Sequence, residues 1–398
     1  MTIYAQFGVK TLINAKGTAT RLSGGPMRAE VAEAMVAASR HCVDIAQLQA
    51  AASREIAGVT GAEAGYVASG ASACLLLAAA ACMAGLDPTR MARLPDTGAM
   101  PHEIIMVRSQ RNFYDHALRA AGAKITEVGL PDRYAGAGVR DAGGWEIEAA
   151  ISDKTAAIFF VAGPQAQPPL QDVTEIARRH AIPVIVDAAA QLPPQSNLRR
   201  FIEEGADLVA FSGGKAIGGP QASGFLCGKR DLVMSAALQH LDMDSFEDMW
   251  RPPPHLIDKA RLKGMPQHGI GRSCKAGKEE IIGLMTALRL FVQEGDRTRH
   301  ERWLDRLLRI KSELDKQPAI IVAVENGDDI RAIPQLVLSP RDRSKDVRTI
   351  VRGLIDADPA IHVNDSRRAG NMLVISPIAL TDDDIPFLAR GLSEQFSL

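Results

Sequence analysis

Along the first two thirds of the chain, short apolar runs recur, each cut off by glycine, proline or small polar residues. Seven of them read as strands: "GYVAS" (65–69), "HEIIMVRS" (102–109), "AKITEVG" (123–129), "AAIFFVAG" (156–163), "IPVIVDAAA" (182–190), "ADLVAFS" (206–212) and "ASGFLCG" (222–228). Several are apolar continuously instead of at alternate positions, the pattern of strands covered on both faces. Between them lie stretches of helical character such as "ASACLLLAAAACMAG" and "DVTEIARRHA". Strands alternating with helices need crossover connections, which predicts an α/β fold with a mostly parallel sheet.

A proline-rich break, "MWRPPPHL" (249–256), precedes the basic stretch "GIGRSCKAGKEE" and a long helical pattern running to about residue 316. That pattern predicts one or two helices leading out of the first domain. From about 318 to the end, strands ("IIVAVE", "PQLVLSP", "MLVISPI") mix again with helices ("KDVRTIVRGLIDA", "DDDIPFLARGLSE"). The expected organisation is an N-terminal segment (1–40), a large domain (41–290) and a small C-terminal α/β domain (291–398).

Composition narrows the choice of partners more than the choice of fold. With 398 residues, 46% hydrophobic and 23% charged, the chain reads as an ordinary globular protein. A formal net charge of −1 gives no reason to expect nucleic acid or an anionic membrane as partner. The five cysteines include no C-x-x-C pair and no Cys/His ligand spacing, so no metal is expected and a reducing compartment is. The start "MTIYAQFGVK" lacks the charged and apolar regions of a secretory signal. The apolar run 71–84 falls short of the roughly 20 residues a bilayer needs. A cytoplasmic location is the expectation.

Three elements carry chemistry. Lys215 sits in "FSGGKAIGGPQASGFLCG", just past an apolar strand and among glycines that let a backbone approach something closely. It is either a surface loop lysine or one aimed into the cleft at the strand ends, where desolvation lowers its pKa and makes it a nucleophile for a carbonyl. Asp187 ends the strand "IPVIVD", as a helix cap or as a functional carboxylate. In "ASGASA" (68–73), Ser69 or Ser72 caps a helix, or the free amides and hydroxyls of that helix start bind a phosphate. Together they make a phosphate cradle, a partner for a pyridinium nitrogen and an aldehyde-trapping amine, the set that pyridoxal phosphate needs.

With those residues in view, the chain resembles the fold-type I pyridoxal-phosphate enzymes. It is most similar to the group containing selenocysteine synthase (seryl-tRNA selenium transferase) and D-glucosaminate-6-phosphate ammonia-lyase. The likeness runs through "LINAKGTATRLSGGPM" (12–27), "YVASGASA" (66–73), "YDHALRAAGA" (114–123), "VIVDAAAQ" (184–191), "FSGGKAIGGPQASGFLCGKRDL" (211–232) and "GIGRSCKAGKEEIIGL" (269–284). It implies a mostly parallel seven-stranded sheet in the large domain, with Lys215 as the Schiff-base lysine and Asp187 as the partner of the pyridine nitrogen. Gly70, Ala71, Ser72 and Ser212 match phosphate contacts. The ring-covering side chain falls among Gln110, Arg111 and Tyr114, with His116 a lesser candidate on the following helix. Arg272 is the candidate for a substrate carboxylate, because its fork suits bidentate binding. Lys275 and Lys278 are candidates for a substrate phosphate, and Arg21 is a second anion-binding candidate.

The expected activity is that of a lyase. Cα deprotonation by Lys215 and α,β-elimination would turn a small polar amino acid, phosphorylated or not, into a 2-keto acid and ammonia. Racemase, aldolase and selenium-transferase chemistry remain alternatives, and a non-enzymatic binding module is disfavoured by the intact Lys215 and Asp187. Near-neutral charge and a short stretch ahead of the family-like core weigh against a tRNA partner. The resemblance also implies a homo-oligomer with its site at a subunit boundary, and the apolar residues of "LINAKGTATRLSGG" suit packing on a neighbour.

Overall fold

The computed structural model describes residues 2–130 and 141–397. Its strands in chain order are β1 (Leu12–Ala15), β2 (Ala64–Ala68), β3 (Glu103–Val107), β4 (Lys124–Val128), β5 (Thr155–Val161) and β6 (Val184–Asp187). There follow β7 (Leu208–Ser212), β8 (Gly224–Gly228), β9 (Ile320–Glu325), β10 (Gln335–Pro340), β11 (Ala360–Val363) and β12 (Leu373–Ile375). All seven strands expected between residues 65 and 228 form, and they share one sheet of order β2-β8-β7-β6-β5-β3-β4. β8 alone runs antiparallel to its neighbours β2 and β7.

The continuous apolar runs have a simple cause: alternate side chains of each strand enter two different cores. Tyr66, Ile104, Met106, Phe159, Ile185, Leu208 and Leu226 pack on one face. Val67, Ile105, Ile158, Val186, Val209, Phe211 and Phe225 pack on the other. The helix Ala71–Ala84 lies within the first core, and Leu77 and the consecutive alanines 78–81 are wholly buried there. Its small side chains let it come close to both the sheet and the helix Arg230–His240. Cys74 and Cys227 are buried in these cores, and all five cysteines are free thiols.

The helix Lys278–Leu314 joins this body to a third core. Its first part packs Ile281, Leu284 and Leu288 beneath the large sheet, and its last part carries Leu307, Ile310 and Leu314 into the C-terminal core. The change of direction falls at Gly295, whose φ of 71° breaks the helical path. C-terminally, β12-β10-β9 form an antiparallel sheet, and β1 pairs in parallel with β11. That last pairing corrects an expectation. Ile13 and Ala15 of "LINA" are buried against this chain's own C-terminal core, not reserved for a neighbouring subunit.

Candidate active site

The site lies where the carboxyl ends of the central strands face the start of the helix that follows β2. Asp187 is the last residue of β6, in register with Val161 of β5 on one side and Ala210 of β7 on the other. Ser212 ends β7, and Lys215 stands in the turn immediately beyond it. Across the opening, Gly70 caps the helix Ala71–Ala84 with φ of 120°, a backbone conformation suited to glycine. The first amides of that helix have no carbonyl partner within it, so they and the positive end of its dipole are offered to an anion.

These groups line one cavity of about 650 Å³, with Ser69, Gly70, Ala71 and Ser72 on one wall and Asp187, Ser212 and Lys215 on another. Asp187 is 8% exposed, and burial pushes its carboxyl above the usual range, against a hydrogen bond donated by Ala189 N–H to Oδ1 (3.0 Å) and the charge of Lys215. Burial likewise lowers the Lys215 ammonium, against the opposing charge of Asp187. An amine so placed is a readier nucleophile than a solvated lysine.

The glycines around Lys215 do permit a close approach, and what they approach is protein. A Cβ at Gly213 would stand 2.3 Å from Ser223 Oγ, and one at Gly214 would stand 2.7 Å from Gln221 Cα. Their neighbours are protein atoms: the turn folds onto the strand that returns from it, closed by Gly213 N→Ser223 O and Gly219 N→Gly213 O, both 2.9 Å. The glycine that does approach that helix start is Gly224 in β8, where a Cβ would lie 2.6 Å from Ala71 N.

Most of the expected residues converge here, and others do not. Tyr114 lines the cavity beside Asn112, whose side chain accepts from Tyr114 N at 2.8 Å. Arg111 does not line the cavity: Asp115 (2.5 Å) and Glu127 hold its guanidinium. Gln110 is likewise engaged, accepting from Val161 N at 2.8 Å, and His116 heads a helix with its ring against Arg119. Arg272 and Lys275 line an adjoining cavity of about 750 Å³, which shares Ser69 and Ala222 with the first. Arg272 donates there to His240 O (2.9 Å) and Asp242 Oδ2 (3.2 Å), so its fork does not face Lys215. Arg21 lines neither cavity; burial first, and then the charge of Arg21, disfavours the charged form of His362. Lys278 pairs with its neighbour Glu279.

Residues not anticipated also line the cavity: Asn112, Gln191, Gln221 and Thr20. All four fall inside or beside motifs already singled out, Thr20 within residues 12–27. Thr20 belongs to the N-terminal segment and is tied in by Gln221 Nε2→Thr20 Oγ1 at 3.1 Å, a tertiary contact with no local signal. Among the described residues no His/Cys/Asp/Glu cluster could hold a metal.

The donor set suits pyridoxal phosphate. A primary amine, a buried carboxylate and a helix N-terminus with two serine hydroxyls face one space within the size range of small-molecule sites.

Comparison with known proteins agrees. The sequence profile of the L-seryl-tRNA selenium transferase family matches residues 12–244. A 5'-C-glycyluridine monooxygenase-decarboxylase from Streptomyces sp is 30% identical over 403 residues, covering 98% of this chain and 91% of that protein. A D-glucosaminate-6-phosphate ammonia lyase from Salmonella typhimurium is 32% identical over 299 residues, covering 73% of this chain and 70% of the other. A solved D-glucosaminate-6-phosphate ammonia-lyase structure superposes with a TM-score of 0.81 at 25% identity, over 100% of this chain and 98% of that one.

Proposed function

The chain belongs to the L-seryl-tRNA selenium transferase family and is a pyridoxal-phosphate-dependent enzyme of fold type I, and from that premise we propose that it is an ammonia-lyase-like enzyme. Its substrate is a polar α-amino acid with a β-hydroxyl, and its products are a 2-keto acid and ammonia. The observation that carries this reading is the meeting of Lys215, Asp187 and the helix start at Gly70 in one cavity.

Bound there, the cofactor supplies a conjugated electron sink for the pair left at the substrate Cα. The chain's own residues do the rest. Lys215 would hold the cofactor through its Nζ and would serve as the base that takes the substrate Cα proton. That proton would go to the departing β-hydroxyl, which leaves as water, and a water molecule then hydrolyses the imine tautomer of the released enamine to the 2-keto acid and ammonia. Asp187 would hold a proton at the ring nitrogen through a charge-assisted hydrogen bond. The amides of Ala71 and Ser72 and the hydroxyls of Ser72 and Ser212 would hold the phosphate, and Tyr114 would lie against the ring.

A second reading has one observation in its favour: the alignment with the Streptomyces monooxygenase-decarboxylase spans more of the chain than that with the ammonia lyase. The products separate the two. With a panel of D- and L-amino acids and amino-sugar acids, stoichiometric ammonia and 2-keto acid without oxygen uptake support elimination. Carbon dioxide release coupled to oxygen consumption supports oxidative decarboxylation, an enantiomer alone would mean a racemase, and an aldehyde an aldolase.

The enzyme works as a homo-oligomer, a reading supported by the exposed apolar side chains Ile3, Tyr4, Phe7 and Val9 at the N-terminus. Five free thiols, Cys74 and Cys227 buried among them, support a reducing compartment such as the cytoplasm. No helix among the described residues is long and apolar enough to cross a membrane.

A further inference from the structure

At its kink the long helix Lys278–Leu314 is tied directly to a wall of the cofactor cavity. Gly295 breaks the helical path, and the next residue, Asp296, accepts from Gln195 N with both carboxylate oxygens, each at 2.9 Å. Gln195 stands in the segment that leaves Asp187, and Ala189, Ala190 and Gln191 of that segment line the cavity. We propose that Asp296 is a positioning residue: by holding Gln195 it fixes the segment 188–197, and through it Gln191 and the Asp187 carboxylate, against the cofactor. The role needs only a cofactor bound in that cavity, whichever reaction follows.

Hydrogen bonds carry the tie from Gln195 to the reactive centre. Gln195 O accepts from Leu198 N at 3.0 Å and so fixes the start of the helix Asn197–Glu203. Asn197 Nδ2 donates to Gln191 O at 2.6 Å, and Gln191 N donates in turn to Ala188 O at 3.1 Å. Gln191 Nε2 donates to Ala162 O at 2.8 Å, which holds the segment against the end of β5. Ala189 N donates to Asp187 Oδ1 at 3.0 Å, so a displaced segment would also disturb that carboxylate.

An anchor works only if it is itself held, and Arg299 holds this one. Its side chain is 1% exposed, with the guanidinium carbon 3.6 Å from the centroid of the Phe291 ring. Nη1 donates to Asp296 Oδ1 at 2.8 Å, Nη2 donates to Phe291 O, and Nε lies 3.4 Å from Glu294 Oε2. One guanidinium thus grips residues on both sides of Gly295, and the two carboxylates offset the cost of burying its charge. Phe291 packs with Ile281, Leu284 and Leu288 beneath the large sheet. Asp296 is therefore referenced to the large domain, although it begins the stretch that leads into the C-terminal core. Its carboxylate does two separable things: it balances Arg299, and it accepts from Gln195.

The test separates those two tasks on the holoenzyme, by thermal melts, by titration with pyridoxal phosphate and by visible circular dichroism of the bound cofactor at full occupancy. Asp296→Ala removes both tasks. It should melt lower, bind the cofactor about tenfold more weakly, the scale of a small misplacement of a site group, and lose most of the visible dichroic band. Asp296→Asn keeps an acceptor for Gln195 N and loses the charge facing Arg299, so it should melt lower yet restore the band and the affinity. Gln195→Pro deletes the same hydrogen bond from its donor side and leaves Asp296 paired with Arg299. It should lose the band as Asp296→Ala does, and it decides the question if Asp296→Ala does not fold. An unchanged band in Gln195→Pro would overturn the assignment. A loss as large in Asp296→Asn would also overturn it, because the charge balance of Arg299, and not the hold on Gln195, would then govern the cavity.

Discussion

Asp187 and Lys215 stand at the carboxyl ends of adjacent parallel strands, Asp187 paired with Ala210 and Lys215 in the turn that follows the same strand. Burial dominates both groups and drives each toward its neutral form, raising the acid and lowering the amine. Their opposite charges restrain that drift without reversing it. The pair thus keeps a nucleophilic amine beside a carboxylate that a cationic ring nitrogen would draw back to its charged form.

Lys215→Ala should abolish the visible absorbance of bound cofactor and its trapping by borohydride. Peptide mapping of the reduced wild-type protein should find the adduct on Lys215, and an adduct on another lysine would refute the assignment.

Asp187→Asn should retain the cofactor and lose at least about 10²-fold in turnover, the scale of one preorganised electrostatic contact. Steady-state ammonia release with matched cofactor occupancy measures it. Near-normal turnover would remove Asp187 from the mechanism.

Gly224→Ala should weaken cofactor binding about tenfold or more, because the new methyl meets Ala71 N at 2.6 Å and Gly70 C at 2.6 Å. Overpacking of this kind costs about 1–3 kcal/mol, so the apoprotein should melt lower as well. Cofactor titration and thermal melts read the two effects separately; unchanged affinity would show that the phosphate lies elsewhere.

His240 supplies a pH dependence with a definite sign. Burial lowers its pKa from 6.5 to about 4, so between those values the unfolded chain binds more protons than the folded one. Stability must therefore rise with pH across that window, and up to roughly 3 kcal/mol is lost as pH falls from 6.5 to 4. His240→Asn, which can still accept from Tyr66 Oη, should flatten denaturant-derived stability over the same range. An equally steep profile in the variant would assign the acid sensitivity to other groups.

Phe7 is 77% exposed on a terminal turn with no buried residue. If this turn docks on a second copy, Phe7→Asp should shift light-scattering mass toward the monomer while leaving the fold intact by circular dichroism. A monomeric wild type with full activity would dismiss the oligomer.

The sequence by itself determined the large sheet and the placing of Asp187 and Lys215 at the ends of its strands. Each central strand is an apolar run bounded by glycine or a polar residue, and burial on two faces writes that pattern locally, as "AAIFFVAG" and β5 illustrate. Asp187 and Lys215 could be read because each terminates or follows such a run, and parallel strands bring their carboxyl ends together. Tertiary structure decided everything that depends on a partner distant in sequence. The pairing of β1 with β11 joins residues 12–15 to 360–363, four positions each, too short to announce themselves. Arg111 looked free to meet a cofactor until β4 brought Glu127 beside it, and Arg272 until Asp242 and the carbonyl of His240 engaged it. Local hydrophobic period records which face of an element is buried. It says nothing about which through-space partner a long charged side chain will find, because that choice is made only when the elements pack.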